Sequence, residues 1–176
     1  TFAHYDVEIL AAKQGIHLFL EKPVAPTMDK ALEILNAIQK AKVLSCVGYQ
    51  LRYLGYIKQV RRFLEGRKIG MAVANRWSGL PETPWWRMMA QSGGQLVEQT
   101  THQVDLLRYL VGEVEEVQAY YALRTLKDVP DLDIPDVYTL SLKFASGAIG
   151  SLSSCCTLRK GGGDQRINLI SEDFRI

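Results

Sequence analysis

The first fifty residues alternate between helical and extended apolar patterns. Residues 4–14 have apolar side chains at helical spacing with Gly15 as C-cap, and residues 16–20 form a short apolar run. A second apolar run covers residues 43–49, after a helical segment that Thr27 can cap. The apolar stripe of that segment consists of Ala31, Leu32, Leu35 and Ile38. Strand, helix and strand in this order predict a right-handed βαβ unit of a parallel sheet.

After residue 49 the pattern changes to one helix, one strand, a loop, a second helix and several strands. The first helix centres on residues 56–64 and the strand covers residues 71–78, whereas residues 92–110 show an unbroken helical pattern. Alternating apolar runs follow at residues 114–126, 137–144 and 148–158 and from residue 166 onward, with Ser146-Gly147 as a hairpin turn. We therefore predict an α/β part over residues 1–49 and an α+β part over residues 50–176. The second part has a larger, mostly antiparallel sheet.

Composition is that of an ordinary globular chain. Its 176 residues are 47% apolar and 23% charged, with 21 basic and 19 acidic residues giving a net charge of +2. This balance, without a basic run, argues against a nucleic-acid partner. No apolar run approaches the roughly 18 residues of a membrane helix, and the start lacks the plan of a signal peptide. We expect neither a nucleic acid nor a membrane as partner.

Three cysteines do not make a disulfide framework. Cys46 lies in an apolar run, so we predict a small core residue. Cys155 and Cys156 are neighbours in an alternating strand, which places their side chains on opposite faces. With no Cys-x-x-Cys pair and no histidine nearby in sequence, we predict no metal site. A reducing cytoplasm is the expected location.

The helical pattern of residues 92–110 contains three ionisable residues on one face. Glu98, His102 and Asp105 follow one another at spacings of four and three, one turn above another. The surrounding apolar residues include Leu96, Leu106, Leu107 and Leu110. Ionisable groups in such a helix are costly to bury unless they pair or do chemistry. Glu98 can orient the imidazole of His102, although His102 also fits a satisfied core histidine and Asp105 fits a polar anchor.

Lys22 is a second candidate for chemistry. It follows the apolar run of residues 16–20, and Pro23 stops that strand. Open parallel sheets bind ligands at the carboxyl ends of their strands, which is where Lys22 lies. A plain surface charge, or a pair with the neighbouring Glu21, is the alternative.

These segments resemble a known family. The strand HLFL followed by Glu21-Lys22-Pro23, together with the later segment GGQLVEQTTHQVDLLRYL, resembles the glucose-fructose oxidoreductase, inositol dehydrogenase and MocA (Gfo/Idh/MocA) family. The resemblance extends over almost the whole chain. It implies a nicotinamide-dependent dehydrogenase with an N-terminal Rossmann domain and a C-terminal domain built on a mostly antiparallel sheet. It also implies NAD or NADP as cofactor, a sugar or polyol-like substrate, and a homo-oligomer formed through that sheet.

The resemblance also implies roles for individual residues. Lys22 matches the lysine that lies near the nicotinamide and the reacting hydroxyl, and His102 matches the proton-transferring histidine. Glu98 stands where many members have aspartate, with a substrate-binding or supporting catalytic role. Glu21 and Pro23, with Lys22, resemble positions that line the nicotinamide-ribose end of the cofactor site.

Further residues are candidates for substrate binding. Arg52 matches a family arginine near the domain junction, with a substrate or a structural role. Asp105 is a candidate of the same kind. Trp85 and Trp86 lie in the loop before the second helix, where they fit core packing, and Trp86 also fits stacking on a sugar.

The family's glycine-rich phosphate loop has no counterpart in this sequence. Residues 161–163 are all glycine but lie between two strands, with no helix after them to meet a phosphate. Because the chain opens directly into a helical pattern, we expect an internal piece of a longer protein that is inactive alone. The alternatives are a non-catalytic relative or oligomerisation module, and an NAD-dependent glycosidase of the same fold.

Overall fold

A computed structural model describes residues 6–176, and two β-sheets organise this part of the chain. The first sheet contains two strands and the second contains five. The predicted first helix begins at His4, which lies outside the described residues; within them the helix α1 covers Val7–Lys13. No helix among the described residues is long and apolar enough to cross a membrane.

The small sheet forms the predicted strand–helix–strand unit. β1 (Leu18–Leu20) and β2 (Ser45–Val47) pair in parallel, with α2 (Met28–Ala41) between them. Thr27 caps α2 as predicted, because its hydroxyl oxygen accepts a hydrogen bond of 3.3 Å from the backbone N–H of Lys30. Both strands are shorter than the apolar runs that predicted them.

Two packing predictions in this part are wrong. Leu32 and Leu35 of the apolar stripe are almost half exposed, and Ile34 is the buried residue of α2. Cys46 is exposed rather than a core residue. Periodicity identifies the apolar side of a helix or strand, but only tertiary contacts decide which of its residues are covered.

The larger sheet follows after a 3₁₀ turn at Gln50–Tyr53 and the helix α3 (Gly55–Phe63). Its strand order is β4-β5-β6-β3-β7, and all neighbours are antiparallel except β6 and β3. The strands are β3 (Met71–Trp77), β4 (Val114–Ala122), β5 (Val137–Phe144), β6 (Ile149–Cys155) and β7 (Asp164–Ile170). The predicted mostly antiparallel sheet is therefore confirmed, with one parallel pair added.

The main core lies between one face of this sheet and the helix α5 (Thr101–Leu110). Ala72 and Ala74 of β3 face α5, and their small side chains let the helix approach closely. We call this the inner face of the sheet. The buried apolar residues that fill the interface include Leu106, Leu107, Leu110, Phe144 and Leu152.

The predicted unbroken helix over residues 92–110 is interrupted. A short helix α4 (Met89–Ser92) ends at Gly93, which has a left-handed φ of 70°. The chain then forms a π-helical turn at Leu96–Thr100 before α5 begins. We call residues 96–100 the π-turn. Such turns contain one residue more than an α-helical turn and are frequent at functional sites.

Candidate active site

Lys22 links the small sheet to the π-turn. It is the second residue after β1, and its Nζ donates hydrogen bonds to the backbone oxygen of Glu98 at 2.6 Å and to Glu98 Oε1 at 3.0 Å. Both side chains are largely buried, with exposed fractions of 19% for Lys22 and 11% for Glu98. Lys22 is thus neither a plain surface charge nor the partner of Glu21. Lys22 and Glu98, which are 76 positions apart in the sequence, are therefore in direct contact.

Glu21 and Pro23 lie beside Lys22 at the carboxyl end of β1. A Cβ atom added to Gly48, the residue after β2, would lie 3.1 Å from Oε2 of Glu21. The carboxylate of Glu21 therefore lies across the ends of both parallel strands, while Pro23 is buried. This edge is where a parallel sheet receives a nucleotide cofactor. Its residues fit such a group, because Gly48 leaves the strand ends open where any side chain would crowd Glu21.

His102 occupies the first turn of α5 and is partly buried. Its ring meets the ring of Tyr49 edge to face, with centroids 6.3 Å apart. Its Nδ1 atom is buried and has no hydrogen-bond partner within residues 6–176. The predicted orientation of the imidazole by Glu98 does not involve this nitrogen, and Oε1 of Glu98 accepts a hydrogen bond from Lys22.

Burial and nearby charges set the protonation of His102. Desolvation is the main cause that lowers its pKa from the ordinary 6.5, since burial penalises the charged imidazolium. The positive charge of Lys22 lowers the pKa further, and that of Arg76 acts in the same direction. The carboxylates of Asp105 and Glu21 oppose the shift without reversing it. The imidazole is thus mainly neutral at pH 7, which is the form that accepts a proton.

Asp105 pairs with Arg52 rather than with His102. The guanidinium of Arg52 donates from Nε to Asp105 Oδ2 at 2.7 Å and from its second nitrogen to Oδ1, which makes a bidentate pair. Asp105 is only 5% exposed, and the ring of Tyr109 lies 5.0 Å from the guanidinium carbon. This pair raises the pKa of Arg52. It ties α5 to the 3₁₀ turn after β2, which fits the anchoring alternative for Asp105 and the structural alternative for Arg52.

Sequence inspection missed a polar cluster on the inner face of β3. Gln99 Oε1 accepts a hydrogen bond from Arg76 at 3.4 Å and one from the Ser78 hydroxyl at 3.5 Å. Arg76 belongs to the inner face, in line with Ala72 and Ala74. An arginine at an inward position of an otherwise apolar strand was the signal that could have revealed it.

Trp86 lies away from these residues. It is 3% exposed and packs with Leu126, Ile134 and Cys156 in a second, smaller core cluster. Trp85 packs against the same cluster and is partly buried. With its ring covered on both sides, Trp86 takes the packing role, and the predicted stacking on a sugar finds no support.

Two other sequence predictions concern ligands. The glycines at 161–163 lie in the exposed loop between β6 and β7, and no helix follows them. Among the described residues, no three His, Cys, Asp or Glu side chains are grouped to hold a metal ion.

Lys22 therefore lies at the carboxyl end of a parallel strand, the end at which open parallel sheets bind ligands. A family model described as GFO/IDH/MocA C-terminal domain matches residues 57–176. A second model, described as oxidoreductase family, NAD-binding Rossmann fold, matches residues 1–49. The chain belongs to the GFO/IDH/MocA family.

Individual relatives agree with this assignment. Myo-inositol 2-dehydrogenase of Thermotoga maritima is 29% identical over 100% of this chain and 53% of the relative. Levoglucosan dehydrogenase of Pseudarthrobacter phenanthrenivorans is 27% identical over 86% of this chain and 46% of the relative. The structure of the WlbA dehydrogenase from Bordetella pertussis, solved with NADH and UDP-GlcNAcA, matches with a TM-score of 0.85 at 26% identity. That match covers 94% of this chain and 49% of the WlbA chain. The chain spans about half the length of the curated relatives it matches.

Proposed function

We propose that the protein containing this chain is an NAD(P)-dependent oxidoreductase that moves a hydride between the nicotinamide and a carbon bearing a hydroxyl or carbonyl group. The observation that carries the proposal is the contact of Lys22 with Glu98, next to a neutral His102. An ammonium group at the carboxyl end of a parallel strand supports the proposal, since open parallel sheets bind their ligands at that end. Membership of the family supports the same conclusion.

The two catalytic side chains divide the work of alcohol oxidation. His102, neutral at pH 7, accepts the hydroxyl proton and becomes the imidazolium. The ammonium of Lys22 stabilises the negative charge that develops on the substrate oxygen. The bound nicotinamide supplies the hydride acceptor. In the reverse reaction His102 returns the proton to the carbonyl oxygen, so protons and electrons balance in both directions.

Glu98 keeps Lys22 in position. Its backbone and carboxylate oxygens both accept from the ammonium, which fixes the nitrogen relative to α5. Where many family members have the shorter aspartate, the glutamate side chain reaches Lys22 across the π-turn. In the proposed site Glu98 is a supporting catalytic residue and a substrate neighbour, while Glu21 and Pro23 line the cofactor.

The proposed substrate is a sugar, a polyol or a related compound. Two relatives are named as an inositol dehydrogenase and a levoglucosan dehydrogenase, and both names give a substrate of this kind. Either NAD or NADP fits the residues of this chain. The three cysteines are free, which agrees with a reducing cytoplasm as the proposed location.

A homo-oligomer formed through the larger sheet is part of the proposal. The face opposite the inner face, which we call the outer face, has large exposed side chains at Trp77, Tyr120 and Ile149. The last two are 70% and 60% exposed, respectively. Trp77 and Ile149 lie at opposite ends of the paired strands β3 and β6, so these side chains are spread over the face. A face with several large exposed apolar side chains suits a protein interface. A second copy of the same sheet would cover it.

A fluorescence titration tests the proposed function. NADH and NADPH are titrated into this 176-residue chain and into the full-length protein, and a polyol and aldose panel then follows. We expect tight binding of one dinucleotide by the full-length protein and oxidation of a member of the panel. Absence of binding by both samples would reject the enzyme and favour the sheet-mediated assembly module.

A further inference from the structure

The inner face of the larger sheet changes character toward one end. Residues that are paired across β6 and β3 form successive rows on this face. Two of these rows are apolar or lack a side chain, since Ala72 aligns with Gly150 and Ala74 with Leu152. In the next row Arg76 aligns with Ser154 on β6 and with Gln165 on β7. The core therefore ends at this row, and a polar surface begins beside the π-turn.

Arg76 is the only charged residue of that row and is partly buried. Within residues 6–176 it forms no ion pair, and it donates a hydrogen bond to the neutral amide oxygen of Gln99 at 3.4 Å. Burial without a counterion lowers the pKa of its guanidinium. Natural proteins seldom bury arginine without a carboxylate partner.

The other cations of the site are each matched by a carboxylate. Lys22 pairs with Glu98, and Arg52 pairs with Asp105. Arg76 is close enough to His102 to affect its pKa, so its charge belongs to the same site. The site thus has one partly buried positive charge that no carboxylate among the described residues pairs with.

We propose that Arg76 binds a carboxylate of the substrate, so that the enzyme acts on sugar acids in preference to neutral sugars. A guanidinium recognises a carboxylate through two parallel hydrogen bonds, and a phosphate ester offers the same geometry. The hydroxyl of Ser78 and the amide of Gln99 lie next to the guanidinium and suit the hydroxyl groups of a sugar. This inference rests on the proposed oxidoreductase function and names its substrate class.

Matched substrates test the proposal in the full-length protein. NADH or NADPH formation is followed with glucose, glucuronate and glucose 6-phosphate, and with the corresponding galactose compounds. We expect a higher kcat/KM for the acids than for the neutral sugars. Arg76→Gln should lower kcat/KM for the acids about 10–100-fold by raising KM, as expected for a lost charge-assisted hydrogen bond. For the neutral sugars kcat/KM should change less than about twofold. Arg76→Lys keeps the charge but loses the two parallel hydrogen bonds, so it should retain only part of the preference for acids.

Arg67→Gln is the matched control, because Arg67 is exposed, pairs with Asp173 and precedes β3, at the opposite end of that strand from Arg76. This control should leave kcat/KM unchanged for every substrate. An equal loss of activity on acids and neutral sugars in Arg76→Gln would overturn the proposal, as would a wild-type preference for neutral sugars. A preference for glucose 6-phosphate over glucuronate would show that Arg76 binds a phosphate, and it would overturn the proposal that Arg76 binds a carboxylate.

Equilibrium dialysis separates this proposal from the proposed function. If no sugar is oxidised with either cofactor, the oxidoreductase function fails, but binding of labelled glucuronate and glucose can still be measured. Glucuronate binding that Arg76→Gln removes and Arg67→Gln retains would support Arg76 as the carboxylate site. Equal retention of both sugars by wild type and Arg76→Gln would overturn it.

Discussion

Replacing Lys22 with Met should destabilise the full-length protein by about 2–3 kcal/mol. The substitution keeps an unbranched side chain of similar length but removes the ammonium that donates to Glu98 at 2.6 and 3.0 Å. A hydrogen bond that involves a charged group contributes about 1.5–3 kcal/mol. Both partners are less than a fifth exposed, so solvent screens the pair little. The freed side chain regains some rotamer freedom, which holds the expected loss below the sum of two such bonds.

Urea denaturation followed by fluorescence measures this loss without masking charges. Lys58→Met is the matched control, because Lys58 is exposed on α3. We expect the control to stay within about 0.5 kcal/mol of wild type, as surface substitutions usually do. Glu98→Gln and the double variant complete a cycle, and we expect a coupling energy of about 1–2 kcal/mol between the two positions. A Lys22→Met variant as stable as the Lys58→Met control would refute the idea that the ammonium joins β1 to the π-turn.

Two more predictions concern His102. His102→Ala should lower turnover roughly 10²–10⁴-fold, the usual contribution of a general acid or base, with little change in cofactor affinity; near-normal turnover would remove His102 from the mechanism. In wild type the imidazole should titrate below pH 6.5, so kcat/KM for oxidation should rise as pH increases through that pKa and then level off. By NMR of labelled histidine, Arg76→Gln should raise this pKa because a cation is lost, and Asp105→Asn should lower it because an anion is lost. Shifts of the opposite sign would contradict the assigned electrostatics.

Local sequence signals predicted the elements well. Thr27 followed by an amphipathic segment specified where α2 begins, since capping depends on near neighbours in the chain. Ser146-Gly147 specified the hairpin between β5 and β6, where Gly147 adopts a positive φ of 86°. These features need no information about distant parts of the fold.

Partners across the fold could not be predicted in the same way. The spacing of Glu98 and His102 suggested that they face each other, whereas Glu98 binds Lys22, which is 76 positions away in the sequence. Asp105 similarly binds Arg52 rather than a neighbour on its own helix. Periodicity reports one helix at a time, so the choice between competing partners appears only when two elements are brought together.

The π-turn makes this site sensitive to the number of residues as well as to their identities. Exchanging one side chain within Leu96–Thr100 leaves the backbone path unchanged, but deleting one residue would restore an α-helical turn. Everything before the deletion would then rotate by about 100° about the helix axis relative to α5. A deletion of Gln99 or Thr100 would therefore turn Glu98 away from Lys22, even though every active-site residue was still present. We therefore expect family members that lack one residue in this segment to differ in function from members that have it. That difference should be larger than the difference caused by most single substitutions.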